Sequence, residues 1–297
     1  MLGLRVLATV CARLLLLAAA GTQVHGQATH APIELAVASR SMQPGELLVF
    51  TMRVEGEASG VEVALFDRRA TAFRLSDGRW RALVGIDLEQ KPGSYVATVD
   101  AKLAAGAARV TRTIAVKPKT FATRTLSVSP DFVNPPASQR ERIERDSIFL
   151  RQIFSASATR RLWTQSFVAP VPDPANSRFG TRSVFNGERR NPHAGADFSS
   201  PLGRPVRAPN GGHVVAAREL FFTGNVVIID HGLGVFSLLA HLSRVDVKEG
   251  DDVRVGDVVG LVGATGRVTG PHLHWALTVS GARVDPVSAL VLLGSAR

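Results

Sequence analysis

The chain has 297 residues, 45% apolar and 20% charged, which excludes a disordered or fibrous protein and leaves room for two domains of ordinary size. Its formal net charge of +10 at pH 7 comes almost entirely from arginine. That balance fits a solvated surface as well as attraction to an anionic surface, and no dense basic run or aromatic interleaving favours nucleic acid.

Residues 1–26 read as a secretory signal peptide. Arg5 and Arg13 supply positive charge, Leu14 to Ala20 form a short apolar core, and Val24-His25-Gly26 offers small-residue cleavage geometry before Gln27, with Ala20-Gly21 as the alternative. The apolar run is short for a transmembrane helix. Cys11 is the only cysteine. Once it is removed with the signal, disulfides, cysteine nucleophiles and Cys-based zinc sites are excluded.

Residues 27–118 show short alternating strands separated by Pro-Gly turns. Ile33–Val37, Leu47–Val54, Val61–Phe66, Phe73–Leu75, Trp80–Leu88, Tyr95–Val99 and Arg109–Val116 are the candidates. This spacing predicts a small β-sandwich, immunoglobulin-like in shape. It contains no catalytic cluster, so it reads as a spacer or docking domain.

Residues 119–174 read as a linker and a helix. Ser138 and Glu141 fit a capping box. Ile143, Leu150, Ile153 and Phe154 fall at helical spacing, opposite Arg140, Arg142, Glu144 and Arg145. The helix is expected to pack between domains.

Residues 175–297 are glycine-rich and strand-like to the end, which predicts a second, nearly all-β domain of antiparallel sheet. The half-repeat Val247–Val253 and Val255–Gly260 reads as paired turns at the edge of that sheet.

Six of the eight histidines lie in this last stretch. His272 and His274 sit in an apolar run that reads as a strand, and strand period two puts both on one face. His193-Ala194-Gly195-Ala196-Asp197 places an imidazole and a carboxylate across a glycine-bearing turn. His193, Asp197 and His274 would make an N, O, N set with an open fourth position, as a catalytic zinc requires. His241 is expected on the face of His272. His213 and His231 read as surface or supporting residues, Asn225 as a turn former, and Arg204 and Arg207 as a solvated face or as contacts to substrate carboxylates.

Three ordered strings, Asn191-Pro192-His193-Ala194-Gly195-Ala196-Asp197-Phe198, Ala240-His241-Leu242, and Gly263-Ala264-Thr265-Gly266 with Thr269-Gly270-Pro271-His272-Leu273-His274-Trp275, resemble the lysostaphin-type (LytM-like) zinc metallopeptidases. Arg283-Val284-Asp285-Pro286 matches their closing segment. The resemblance covers about residues 175–290. The stretch from Phe132-Val133-Asn134-Pro135-Pro136 through the helix is similar, less specifically, to longer secreted bacterial members with an N-terminal β-domain.

The resemblance implies one zinc ion held by His193, Asp197 and His274, with His241 and His272 catalytic. His272 would then be the general base and His241 the oxyanion stabiliser, though the sequence leaves their order open. It implies hydrolysis of peptide cross-links in peptidoglycan, with stem peptides as the partner, in the periplasm. A protein partner in the envelope could dock on the β-sandwich. The rival readings are a catalytically silent regulator that binds and activates another cell-wall hydrolase, and a zinc endopeptidase of secreted proteins. One departure stands out. Many relatives carry tyrosine shortly before the position of His241, whereas Ser237-Leu238-Leu239 stands here and the single tyrosine is Tyr95.

Overall fold

The structure, a computed structural model, describes residues 32–104, 106–127, 135–175 and 179–294. The expected signal peptide, Cys11 and the Phe132–Asn134 part of the motif lie outside the described residues. Residues Pro32–Arg297 form one compact unit. Among the described residues no helix is long and apolar enough to cross a membrane.

The N-terminal strands are β1 (Ile33–Ala38), β2 (Leu47–Val54), β3 (Ala58–Leu65), β4 (Arg68–Thr71), β5 (Phe73–Arg74), β6 (Trp80–Gly85), β7 (Gly93–Leu103) and β8 (Gly106–Val116). They build two four-stranded antiparallel sheets, ordered β1-β2-β6-β5 and β4-β3-β7-β8. Alternate residues face inward, so Phe50, Met52, Val63, Val84, Ala97 and Val99 are buried in the sandwich core. Strand β4 was not expected. It follows a two-residue turn at Phe66-Asp67, where both residues have positive φ (54° and 58°) without the Asn-Gly signature that marks such hairpins.

Strand β2 is buried on both faces. Leu47 and Val49 point away from the sandwich and join Leu83 in a core shared with Trp163, Phe167, Val235, Leu277, Val279 and Val284. A Cβ on Gly85 would lie 2.5 Å from Ala282 Cβ and 2.6 Å from Val284 Cγ2, so glycine is needed where the two halves meet. Ion pairs frame this apolar seam. Arg40 donates to Glu46 and to Asp285, at 2.7 Å each, and Ser288 donates to Glu46 at 2.9 Å. Arg283 donates to Asp87 at 2.7 Å and to Glu89 at 2.9 Å.

The connecting segment contains a strand the sequence did not signal, β9 (Thr123–Leu126). It pairs parallel with β10 (Arg182–Phe185), which pairs antiparallel with β11 (Glu188–Arg189). The expected helix is present as α1 (Arg140–Ser155). The capping box is not. A 3-10 turn at Ala137–Gln139 precedes the helix, so Gln139 takes the cap position and no side chain caps it. Phe149, Leu150, Ile153 and Phe154 pack on Val226, Ile228, Phe236 and Leu238, so α1 covers one face of the C-terminal sheet.

That sheet comprises β12 (Gly195–Phe198), β13 (Pro205–Arg207), β14 (Gly212–Leu220), β15 (Gly224–Gly232), β16 (Val235–Val245), β17 (Asp252–Val253), β18 (Val258–Val262), β19 (Leu273–Val279) and β20 (Ala282–Val284). Its path is β12-β19-β16-β15-β14-β17, with β18 on β16, β13 on β18 and β20 on β19, all antiparallel. The expected paired turns are closed by aspartates, with Lys248 N donating to Asp251 and Arg254 N to Asp257. Strands do not continue to the end as expected. Asp285 caps α2 (Pro286–Leu293), accepting from Val287 N, with Pro286 in the first turn. The segment Val287–Leu293 is apolar almost all round, and its sequence periodicity does not separate helix from strand.

Candidate metal centre

Strand register brings the site together. Asp197 of β12 pairs with His274 of β19, and His274 pairs with Ala240 of β16. Directly opposed residues share a face, so Asp197 and His274 project side by side. His193 lies just before β12, where its N–H donates to Thr181 O and its carbonyl accepts from Gly180 N. A Cβ on Gly195 would lie 2.6 Å from His274 Cε1 and from Trp275 O. Only glycine lets this backbone pass so close to the imidazole.

His193 Nε2, Asp197 Oδ1 and His274 Nδ1 are each 3.0 Å from the other two. Three donors on a tetrahedral shell of ~2.0–2.1 Å would be roughly 3.3 Å apart. The set fits a divalent cation, and two imidazole nitrogens facing each other beside a carboxylate is an arrangement a cation relieves. These are the residues able to hold a metal ion among those described. Burial pushes the Asp197 carboxyl up, but hydrogen bonds from His193 and His274 outweigh it and hold the group well below the usual carboxylate range. Burial lowers His274, against the hydrogen bond to Asp197. Both shifts favour the deprotonated forms that ligate metal.

His241 and His272 flank the triangle. Their ring centroids are 4.8 Å apart, and His241 lies 5.9 Å from His274. His272 precedes β19 and is held by an isolated bridge to Gly263, with Nε2 3.9 Å from Asp197 Oδ1. In a regular β16, His241 would face away from Ala240. Instead it has φ 65°, a strained value for a non-glycine residue. Its ring thereby joins the others, held by Nδ1 donating to Thr265 O at 2.9 Å. His272 Nδ1 donates to Gly270 O at 2.9 Å. In the neutral rings both Nε2 atoms are therefore acceptors. Burial pushes His241 down to about 3. The side chains of His193, Asp197, His272 and His274 retain 21, 16, 23 and 14% exposure, enough to admit a small reacting group.

The other candidates have different roles. His213 bonds the exposed Asp252 at the surface. His231 is not a surface residue. It is fully buried, with Nδ1 donating to Gly211 O and Nε2 accepting from the Ser237 hydroxyl, which in turn accepts from Trp275 Nε1. Asn225 lies within β15 and donates to Leu242 O. Arg204 pairs with Asp173, and Arg207 donates to Gly256 O. Tyr95 packs on Phe66 in the sandwich and donates to Lys91 O. Sequence reasoning missed the carbonyls of Thr265 and Gly270 that orient the two flanking imidazoles. Their signal was the glycines around them, at 263, 266 and 270.

An antiparallel β-sheet presenting a His, Asp, His donor set beside two further imidazoles defines a candidate metallopeptidase. Residues 191–286 match the description of peptidase family M23. A solved Pseudomonas aeruginosa structure assigned to peptidase M23 is 31% identical, covers 86% of this chain and 96% of that one, and superposes with a TM-score of 0.65. The chain belongs to peptidase family M23. Peptidoglycan DD-endopeptidase ShyA of Vibrio cholerae is 40% identical over 129 residues, 41% of this chain and 30% of that protein. DD-carboxypeptidase/endopeptidase Mpg of Neisseria meningitidis is 47% identical over 96 residues, 32% of this chain and 22% of that protein. The chain thus matches less than a third of the length of these curated relatives.

Proposed function

We propose that the protein is a zinc-dependent endopeptidase that hydrolyses peptide cross-links of peptidoglycan after export to the periplasm. The observation carrying this reading is the 3.0 Å triangle of His193, Asp197 and His274, flanked by two imidazoles whose Nδ1 atoms are committed to backbone carbonyls, leaving each neutral Nε2 an acceptor. The names of the Vibrio and Neisseria relatives support the substrate class.

His193, Asp197 and His274 would hold the ion. A zinc ion so held supplies a Lewis acid and a water acidified toward neutral pH. The chain's own residues do the rest. His272 Nε2 takes the proton of the attacking water and returns it to the leaving amine. His272 Nε2 lies 3.9 Å from Asp197 Oδ1, beside the triangle, which favours His272 for proton transfer. His241, its Nδ1 committed to Thr265 O, offers an acceptor Nε2 that orients the attacking water. No phenol from this domain assists, because Tyr95 lies in the sandwich.

Digestion of purified sacculi with mass analysis of the soluble fragments tests the proposal. Cross-linked fragments should fall to monomers with the wild-type chain and remain with His193→Ala. Release that requires a second hydrolase would establish the regulator instead.

A further inference from the structure

Both flanking imidazoles are oriented from one loop. Residues 263–272 are closed by the bridge between Gly263 and His272. Within them, the Thr265 carbonyl accepts from His241 Nδ1 and the Gly270 carbonyl from His272 Nδ1. Arg267 stands between these two residues in sequence. Its N–H donates to Phe222 O at 3.0 Å, and its guanidinium carbon lies 4.3 Å from the centroid of the Phe222 ring. Phe222 belongs to the turn between β14 and β15, whose next residue, Thr223, accepts from His241 N at 2.9 Å. Backbone and ring together anchor this half-buried cation beside His241. Its Cα is at most roughly 7 Å from that of Thr265, two residues away.

A second arginine approaches on a different segment. Arg190 follows β11 and precedes His193 by three residues, so their Cα atoms are at most roughly 11 Å apart. Its N–H donates to Ser183 O, and its Nη2 donates to Glu188 at 2.9 Å. Burial lowers the Arg267 guanidinium below its ordinary value, and the Arg190 cation lowers it further. The segment leading to the ligand His193 and the loop leading to His272 thus bring two like charges together at one rim of the metal triangle. Like charges half withdrawn from water favour an anion shared between them, and the planar guanidinium fork matches a carboxylate. An extended peptide covers roughly 3.3–3.6 Å per residue. A chain laid across the triangle therefore reaches this rim within about three residues of the bond to be cut.

We propose that Arg190 and Arg267 set substrate specificity by receiving a free carboxylate of the peptide close to the scissile bond. The inference rests on the hydrolytic reading above and names what that site selects, an acidic peptide over its neutral counterpart. The zinc-loaded full chain is given two synthetic cross-linked stem peptides. They are identical except that the carboxylates beside the cross-link are free in one and carboxamides in the other. Hydrolysis should favour the free acid by about tenfold to a hundredfold in kcat/KM, carried by KM, as expected for one charge-assisted contact. Arg190→Gln and Arg267→Gln should each lower that ratio, and the double variant should abolish it. A merely structural role in the loop would lower kcat for both peptides alike and leave the ratio unmoved. Calorimetry on the chelated full chain reads the same preference without turnover. Equal cleavage and equal binding of the two peptides by the wild-type chain, or a ratio unmoved in the double variant, overturns the proposal and leaves the hydrolytic reading intact. Preferential binding of the free acid with no cleavage of either peptide supports the arginine site and contradicts the hydrolytic reading instead.

Discussion

His193 Nε2 faces His274 Nδ1 across 3.0 Å, although 81 residues separate them in the chain. Two neutral imidazoles cannot both donate at that contact, and Asp197 Oδ1 lies 3.0 Å from each. The backbone of β12 sets the spacing, and Gly195 sets the backbone. Gly195→Ala would drive a Cβ into the His274 ring and the Trp275 carbonyl. We expect zinc affinity to fall at least tenfold, with a melting temperature several degrees lower, as overpacking costs about 1–3 kcal/mol. Metal titration beside a thermal melt checks this, and unchanged affinity would show that the strand yields without moving the ligand.

The flanking histidines should separate from the ligands in their effects. His241→Ala and His272→Ala should each cut hydrolysis by about 10²–10⁴-fold while retaining bound metal. Variants of His193, Asp197 or His274 should lose both. Metal content and fragment release measured on the same preparations make the comparison. Loss of metal in His272→Ala would move that residue into the ligand set.

The sandwich and the peptidase sheet should unfold together. Leu47, Val49 and Leu83 share one core with Val235, Leu277 and Val279, and Arg283 closes over the buried Asp87. A single calorimetric transition is expected. Arg283→Ala should lower it, because removing one partner of a buried carboxylate costs on the order of 1–3 kcal/mol. Two separate transitions in the wild-type chain would contradict the shared core.

His231 gives the fold an acid-sensitive element. Burial pushes it from its ordinary 6.5 to about 4, so the folded chain keeps it neutral where the unfolded chain takes a proton. Its contribution is complete above pH 6.5 and is lost as pH falls toward 4, by about 3 kcal/mol in all. Stability of wild type and His231→Gln compared from pH 7 to pH 4 should show a shallower loss in the variant. Parallel curves would remove His231 from the acid response.

The clustering of His193, Asp197 and His274 was legible in the sequence because its signals are local. His-x-His at the start of a strand and His-x-x-x-Asp across a glycine each carry their own geometry. Strand pairing then only had to place Asp197 beside His274. The position of His241 was less legible, since it depends on a left-handed backbone at φ 65° that no glycine or asparagine announces. The parallel pairing of β9 with β10 joins segments more than fifty residues apart, and neither is apolar enough to signal a strand. The seam between the halves was also hidden. Leu47 and Val49 read as ordinary alternation, and their second buried face becomes visible only once the two sheets meet.

The most direct test of zinc-dependent hydrolysis is the release of fragments from purified sacculi by chelated protein as zinc is added back. Release should be absent in chelator and should rise to a plateau at one zinc ion per chain. Hydrolysis undiminished in the chelated, metal-free protein would contradict the account.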